Sequence, residues 1–124
     1  MPRISAVDPA TANGPAKELL DAVHKKLGGV PNTIRTMAKE PAVLDAYLKL
    51  GEALGRGSFD ARTREAIALA VAGANACAYC ASAHAAISKS LRVDPGEIEA
   101  RLAGRSGDPK LQGALAFARA VVAK

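Results

Sequence analysis

The sequence predicts an all-α protein, a compact helical domain of roughly six to seven helices, and two observations carry this prediction. Apolar residues recur three and four positions apart along most of the chain, and no segment shows the period-two alternation of a half-buried strand. Only 3% of the residues are aromatic and alanine is abundant, which favours closely packed helices. The 124 residues suffice for one buried core, so we expect a single domain spanning residues 1–124.

Proline and glycine delimit the first three predicted helices. Residues 15–27 repeat leucine and valine at helical spacing, and the glycine pair that follows is typical of a helix end. Residues 31–37 form a short helix that a proline and an asparagine open. Pro41 suits the first turn of the third helix, which runs to about residue 54 before two glycines close it.

Three aspartates that can serve as N-caps precede further helices. Two of them are followed directly by proline, which is preferred in the first helical turn. The predicted helices are residues 61–71 after Asp60, residues 95–103 after Asp94, and a last helix that starts at Pro109 after Asp108.

A break separates residues 61–71 from the helix that follows them. Gly73 and its neighbours interrupt the apolar pattern, and Asn75 is a suitable N-cap for a new helix. We therefore predict a helix over residues 76–91, with both cysteines of the chain, Cys77 and Cys80, at its N-terminus.

The charge pattern argues against several partners. The net charge is +5, but the basic residues are scattered and no base-reading motif is present, so we predict no nucleic-acid partner. Residues 66–87 lack charged residues over about the length of a bilayer span, yet they contain polar residues and many alanines. We predict buried helices there and no membrane partner.

The first residues lack the apolar core of a signal peptide, so we expect a cytoplasmic protein. A permanent structural disulfide is not expected in that compartment.

Cys77, Cys80 and His84 concentrate reactive groups within eight positions. On a helix, residues three and four apart are neighbours, so Cys80 lies beside both Cys77 and His84. Backbone N–H groups and the positive end of the helix dipole favour a thiolate near a helix N-terminus. His84 can accept the thiol proton or, once charged, stabilise the thiolate. This pattern indicates thiol redox chemistry.

Three other interpretations of the cysteine pair stay open at this point. A structural zinc site needs about four protein ligands, and a catalytic one needs three plus water. Cys77, Cys80 and His84 supply three, and His24 could be a fourth only if the fold brings it close. A thioredoxin-like protein also uses CxxC, but beside a βαβ pattern that this sequence lacks. The two cysteines could also simply pack as small buried residues in an alanine-rich core.

Two further residues are candidates for the same site. Glu65 lies twelve positions before Cys77 at the edge of an uncharged run, where it could orient His84 or relay its proton. It could equally be an acid near a helix N-terminus that favours the helix dipole. Tyr79 lies inside the CxxC loop and could line the site or donate a hydrogen bond, and packing is the competing interpretation.

A family resemblance becomes visible in these residues. The best match covers residues 31–91, and a glutamate twelve positions before a CxxC with a histidine four after it is a specific combination. The chain resembles the alkylhydroperoxidase D-like branch of the carboxymuconolactone decarboxylase superfamily. The residues that carry the resemblance are residues 59–71, Asn75, Cys77, Tyr79, Cys80 and His84.

The resemblance implies an all-α fold that assembles as a homotrimer or homohexamer, and it implies peroxide reduction by the dithiol. Cys80 would attack the hydroperoxide, His84 would activate it, Cys77 would resolve the sulfenic acid and Glu65 would complete a proton relay. The partners would be a small hydroperoxide and a dithiol reductant such as a lipoylated protein system. We expect no cofactor and no metal. Tyr79 stands where the best-known alkylhydroperoxidase D has a second histidine.

Two other functions compete with a thiol peroxidase. One is a lyase that acts on a small acid such as a carboxymuconolactone, with Glu65 and His84 as acid and base. The other is a redox sensor or disulfide-exchange module without catalytic turnover. Within the peroxidase hypothesis, the helix dipole favours a Cys77 thiolate, but an imidazolium beside Cys80 should outweigh it, so we expect Cys80 to attack.

Overall fold

Seven α-helices and no strand occur along residues 3–124, the part of the chain that the computed structural model describes. The all-α prediction is confirmed. The helices are α1 Gly14–Leu27, α2 Asn32–Met37, α3 Pro41–Gly55, α4 Ala61–Ala74, α5 Ala78–Ser90, α6 Pro95–Leu102 and α7 Pro109–Val122.

The three aspartates predicted as N-caps cap their helices. Asp60 accepts a hydrogen bond from the Thr63 N–H at 2.7 Å. Asp94 accepts one from the Gly96 N–H at the start of α6, and Asp108 accepts one from the Lys110 N–H at the start of α7. The Thr63 N–H is the main reason why the pKa of Asp60 lies below its ordinary value, and the Thr63 hydroxyl and two nearby arginines add to the effect. Each carboxylate satisfies N–H groups that a helix start leaves without partners.

The chain divides into two compact units, Met1–Leu54 and Gly55–Lys124. The expectation of one domain over residues 1–124 stays a prediction. In the first unit, α1, α2 and the start of α3 enclose one apolar cluster. His24 is exposed on α1. The buried members of the cluster are Leu20, Val23, Ile34, Ala38 and Leu44.

In the second unit, α4 is the central helix and packs against α5, α6 and α7. Alanines and a leucine on α4 are buried on more than one side, which is why its sequence reads as almost continuously apolar. The buried clusters around it are Ala66, Ala70 and Leu115, and Leu69, Val93 and Ile98. This packing holds α4 and α5 side by side, and these two helices carry the site residues.

Gly73 does not interrupt α4, and the predicted break at this residue is wrong. The helix continues through Ala74. A Cβ atom built on Gly73 would overlap the main-chain oxygen of Leu102 at the end of α6. The glycine is therefore explained by the close approach of two helices, a role that only a residue without a side chain can fill.

Candidate functional site

The two cysteines form a disulfide at the N-terminus of α5, as the sequence predicted for the position of the CxxC pair. Their Cα atoms are 5.3 Å apart, and Cys77 is the N-cap residue of the helix. Its Sγ accepts a hydrogen bond from the backbone N–H of Cys80 at 3.2 Å. A sulfur therefore occupies the place where a serine or aspartate oxygen usually caps a helix.

Asn75 is not the N-cap of this helix, and the prediction that it supports the site in that way is wrong. It is the exposed C-cap residue of α4, because α4 extends three residues beyond the predicted 61–71. The Ala76 N–H bonds to the Gly73 carbonyl at 3.2 Å and the Cys77 N–H to the Ala72 carbonyl at 3.0 Å. This pair of bonds is the Schellman ending of a helix.

Ala76 takes the left-handed conformation that this ending requires, with φ of 49°. The ends of α5 and α6 show the same bond pattern, with Arg92 and Gly104 as the left-handed residues. Of these three residues only Gly104 adopts the conformation without strain, because a side chain in this conformation costs roughly 1–3 kcal/mol of folding free energy. The backbone that places Cys77 at the helix start is thus held in a strained turn, which the sequence pattern did not reveal.

His84 and Glu65 form the second half of the site. His84 lies four positions after Cys80 on α5, and its Nδ1 is 2.8 Å from Oε2 of Glu65 on α4. The side chains are 34% and 17% exposed. An ionised carboxylate only accepts hydrogen bonds, so Nδ1 carries the proton and Nε2 is the ring nitrogen left for a second partner.

The hydrogen bond from Glu65 raises the pKa of His84 above its ordinary value. Burial of the ring opposes this effect, and the negative charge of Glu65 adds to it. The imidazolium is therefore more populated near neutral pH than in a free histidine. Such a ring can hold a proton for a leaving group or stabilise a neighbouring thiolate.

The two arginines that precede Glu65 on α4 hydrogen-bond to main-chain carbonyls and not to its carboxylate. Arg64 donates to the Phe59 carbonyl at 2.6 Å, and Arg62 donates to the Leu91 carbonyl at 3.0 Å. Of the two roles that the sequence left open for Glu65, the structure supports contact with His84. The Arg62 bond to the end of α5 was not predicted, because it joins residues 29 positions apart.

Tyr79 lies in the CxxC loop and is 59% exposed. The expectation that its ring packs is not met within the part of the chain that the structure describes. The structure thus joins Cys77 to Cys80 and His84 to Glu65, keeps Cys80 and His84 one helical turn apart on α5, and leaves Asn75 and Tyr79 exposed.

Residues 3–124 contain neither a cluster of metal ligands nor a membrane-spanning helix. Within that range no three or more His, Cys, Asp or Glu side chains are grouped as metal ligands. His24, which the sequence offered as a fourth zinc ligand, is exposed on α1. None of the helices in the described residues has the length and apolar character needed to cross a membrane.

The model of the carboxymuconolactone decarboxylase family matches residues 41–120, which is more than half of the chain. The chain belongs to the carboxymuconolactone decarboxylase family. A crystal structure of the alkylhydroperoxidase AhpD core from Rhodospirillum rubrum ATCC 11170 is similar over 99% of this chain and 90% of its own, with a TM-score of 0.72 and 29% identity. These matches confirm the resemblance to alkylhydroperoxidase D-like members of the family.

An uncharacterized protein of Haemophilus influenzae (strain ATCC 51907 / DSM 11121 / KW20 / Rd) is 54% identical over 46 residues. The aligned part is 36% of this chain and 41% of that relative. The chain therefore spans less than half the length of the curated relative that it matches.

Proposed function

We propose that this member of the carboxymuconolactone decarboxylase family is a thiol-dependent peroxidase that reduces hydrogen peroxide or organic hydroperoxides. The observation that carries the proposal is the Cys77–Cys80 disulfide at a helix start, one turn from a histidine that a carboxylate holds. Each part assists thiolate chemistry, and the similarity to an alkylhydroperoxidase core agrees with it.

The oxidative half of the proposed cycle starts from the reduced dithiol. The Cys80 thiolate attacks the terminal oxygen of the hydroperoxide, the O–O bond breaks, and the alcohol leaves with a proton from the His84 imidazolium. Cys80 becomes a sulfenic acid. The Cys77 thiolate then attacks the Cys80 sulfur, water leaves with one further proton, and the disulfide seen in the structure results.

The structure supports different roles for the two sulfurs. Cys80 lies one helical turn from His84, so the imidazolium can activate it and supply the proton that the leaving alkoxide needs. Cys77 is the N-cap, and the N–H of Cys80 points at its sulfur. That N–H favours a thiolate on Cys77, which suits the resolving step and the release of Cys77 when the disulfide is reduced.

The reductive half needs a dithiol donor that opens the disulfide and is itself oxidised to a disulfide. A lipoylated protein system is the donor we propose, acting in the cytoplasm, where dithiols are kept reduced. We also propose assembly as a homotrimer or homohexamer. An exposed apolar stripe on α3 supports the assembly, because exposed stripes of this kind often mark contacts between proteins. The stripe consists of Val43, Tyr47, Leu50 and Leu54.

The test is consumption of hydrogen peroxide and tert-butyl hydroperoxide with several dithiol donors, including a lipoylated protein. The wild-type chain should turn over many equivalents of peroxide, and Cys80→Ser should lose this activity. Full activity in Cys80→Ser would overturn the assignment. Disulfide formation without turnover by any donor would instead favour a redox sensor or exchange module.

A lyase is the second candidate, because the matching family model is that of the carboxymuconolactone decarboxylases and Glu65 and His84 could act as acid and base. Such an enzyme does not need the thiols. A protein with both Cys77→Ser and Cys80→Ser should therefore keep lyase activity and lose peroxidase activity, which separates the two functions.

A further inference from the structure

Helix α3 carries more apolar surface than its own core uses. Leu44 is buried in the apolar cluster of the first unit, and Leu48, one turn later, packs against that cluster. The α3 stripe lies on another side of the helix, and its four residues are each 50–61% exposed. Residues 49–55 are all exposed, so no position in the second half of α3 is buried. A helix that packs only on its own core has one apolar face, whereas α3 has two.

The spacing of the α3 stripe is that of helices that pack along one another. Its members follow each other by four, three and four positions, which is the a and d pattern of a coiled coil. With 3.6 residues per turn, they fall within an arc of about 60° around the helix and extend for about 16 Å along it. The stripe is therefore narrow, straight and long enough to line up with a second helix over three turns.

The residues beside the α3 stripe permit a close approach. Ala46 and Ala53 lie along one edge, and Gly51 lies along the other, where no atom is within 4 Å of the position that a Cβ would take. Lys49 donates to the Asp45 carboxylate at 2.6 Å on the far side of the helix. The flanks of the stripe are therefore small and uncharged, and the charged residues of α3 all lie away from it: Asp45, Lys49 and Glu52.

A second copy of α3 is the partner that fits these features. An uncharged apolar stripe with coiled-coil spacing is complementary to itself, and a two-fold contact uses the same surface on both copies. Recognition of a different protein generally relies on charged groups around the contact, and the flanks of this stripe have none on α3. The pattern therefore favours pairing of identical helices.

We propose that two copies of this chain pair through α3 in antiparallel orientation, with Val43 against Leu54 of the partner subunit. Tyr47 then packs against Leu50 of the partner subunit. This orientation covers the exposed half of each α3 with the half of the other that its own apolar cluster anchors, and it opposes the helix dipoles. The inference rests on the assembly in the proposed function and favours a hexamer over a trimer, because a two-fold contact gives an even number of copies.

Sedimentation velocity and light scattering measure the number of copies. We expect an even number for the wild-type chain and half that number for Leu50→Lys combined with Leu54→Lys, since the contact would bury unpaired charges and weaken by roughly a hundredfold or more. Both leucines are more than half exposed, so far-ultraviolet circular dichroism should show an intact fold. Leu27→Lys is the matched control, because Leu27 on α1 is as exposed as Leu54 and lies outside the stripe. It should leave the number of copies unchanged.

Cross-linking tests the orientation in a chain that carries Cys77→Ser and Cys80→Ser. Val43→Cys combined with Leu54→Cys should give a covalent dimer on mild oxidation, because these positions face each other at both ends of an antiparallel pair. They are about 16 Å apart along one helix, which is too far for a disulfide within a chain. Leu54→Cys alone should stay monomeric on a denaturing gel, because its counterpart lies at the opposite end of the pair.

An unchanged number of copies in Leu50→Lys with Leu54→Lys would overturn the α3 contact, and a wild-type trimer would do the same while the proposed assembly stands. A wild-type monomer would overturn both. A wild-type dimer that the double variant separates would support the α3 contact and contradict the trimer and the hexamer. A covalent dimer of Leu54→Cys alone would overturn the antiparallel orientation. None of these measurements involves peroxide, so the peroxidase activity stands or falls separately.

Discussion

Gly73→Ala should destabilise the chain, because α4 and α6 meet at this position without room for a side chain. The new Cβ would overlap the main-chain oxygen of Leu102 and lie 3.0 Å from its carbonyl carbon. Main-chain atoms cannot rotate away, so α6 would have to shift, and overpacking of this kind costs about 3 kcal/mol at the upper end of its usual range. Alanine regains about 1 kcal/mol of helix propensity. The net loss should be about 2 kcal/mol.

Urea and thermal unfolding followed by far-ultraviolet circular dichroism measure this loss, which corresponds to a fall in Tm of roughly 8 °C for a chain of this size. Gly113→Ala is the matched control. Gly113 lies in the exposed middle of α7, and its Cβ would meet no described atom within 4 Å, so this variant should gain about 1 kcal/mol. A Gly73→Ala protein as stable as Gly113→Ala would refute the close approach of α4 and α6.

Three further predictions concern the site and its turn. Glu65→Gln should lower the pKa of His84 in an NMR titration of the ring and reduce peroxidase kcat/KM at neutral pH by about tenfold or more; an unchanged titration would remove Glu65 from the relay. The folded-state pKa of His84 is raised, so the stabilisation from its pair with Glu65 should be complete below about pH 6.5 and disappear as the pH rises through that raised pKa. Urea unfolding of the wild-type and Glu65→Gln proteins at several pH values measures this dependence. Ala76→Gly and Arg92→Gly should each stabilise the chain by about 1 kcal/mol through relief of the same left-handed strain, and loss of stability in either would contradict that.

Helix starts were predictable from the sequence because their causes are local. Asp60, Asp94 and Asp108 each bond to an N–H two or three positions ahead, so a short stretch of sequence contains the whole interaction. Helix ends and close contacts depend on residues far away. Gly73 indicated a break when read alone, and only the Leu102 carbonyl, 29 positions later, explains it.

The candidate site divides in the same way. Helical spacing alone places His84 beside Cys80, and the structure keeps both on α5. The contact between Glu65 and His84 depends on how α4 packs against α5. Residue spacing alone therefore did not predict it, whereas the family resemblance favoured it. Asn75 is not an N-cap because α4 extends beyond the residues whose pattern predicted it and Asn75 becomes its C-cap residue. After the Schellman turn, the N-cap position of α5 is occupied by Cys77.

The central claim is that the Cys80 sulfur attacks the peroxide while Cys77 resolves the product. Trapping of sulfenic acid in the two single-cysteine proteins, after addition of peroxide to the reduced chains, tests it most directly. Cys77→Ser should yield about one trapped sulfenic acid per chain, located on Cys80, and Cys80→Ser should yield little. Faster or fuller trapping on Cys77 in the Cys80→Ser protein would contradict the account.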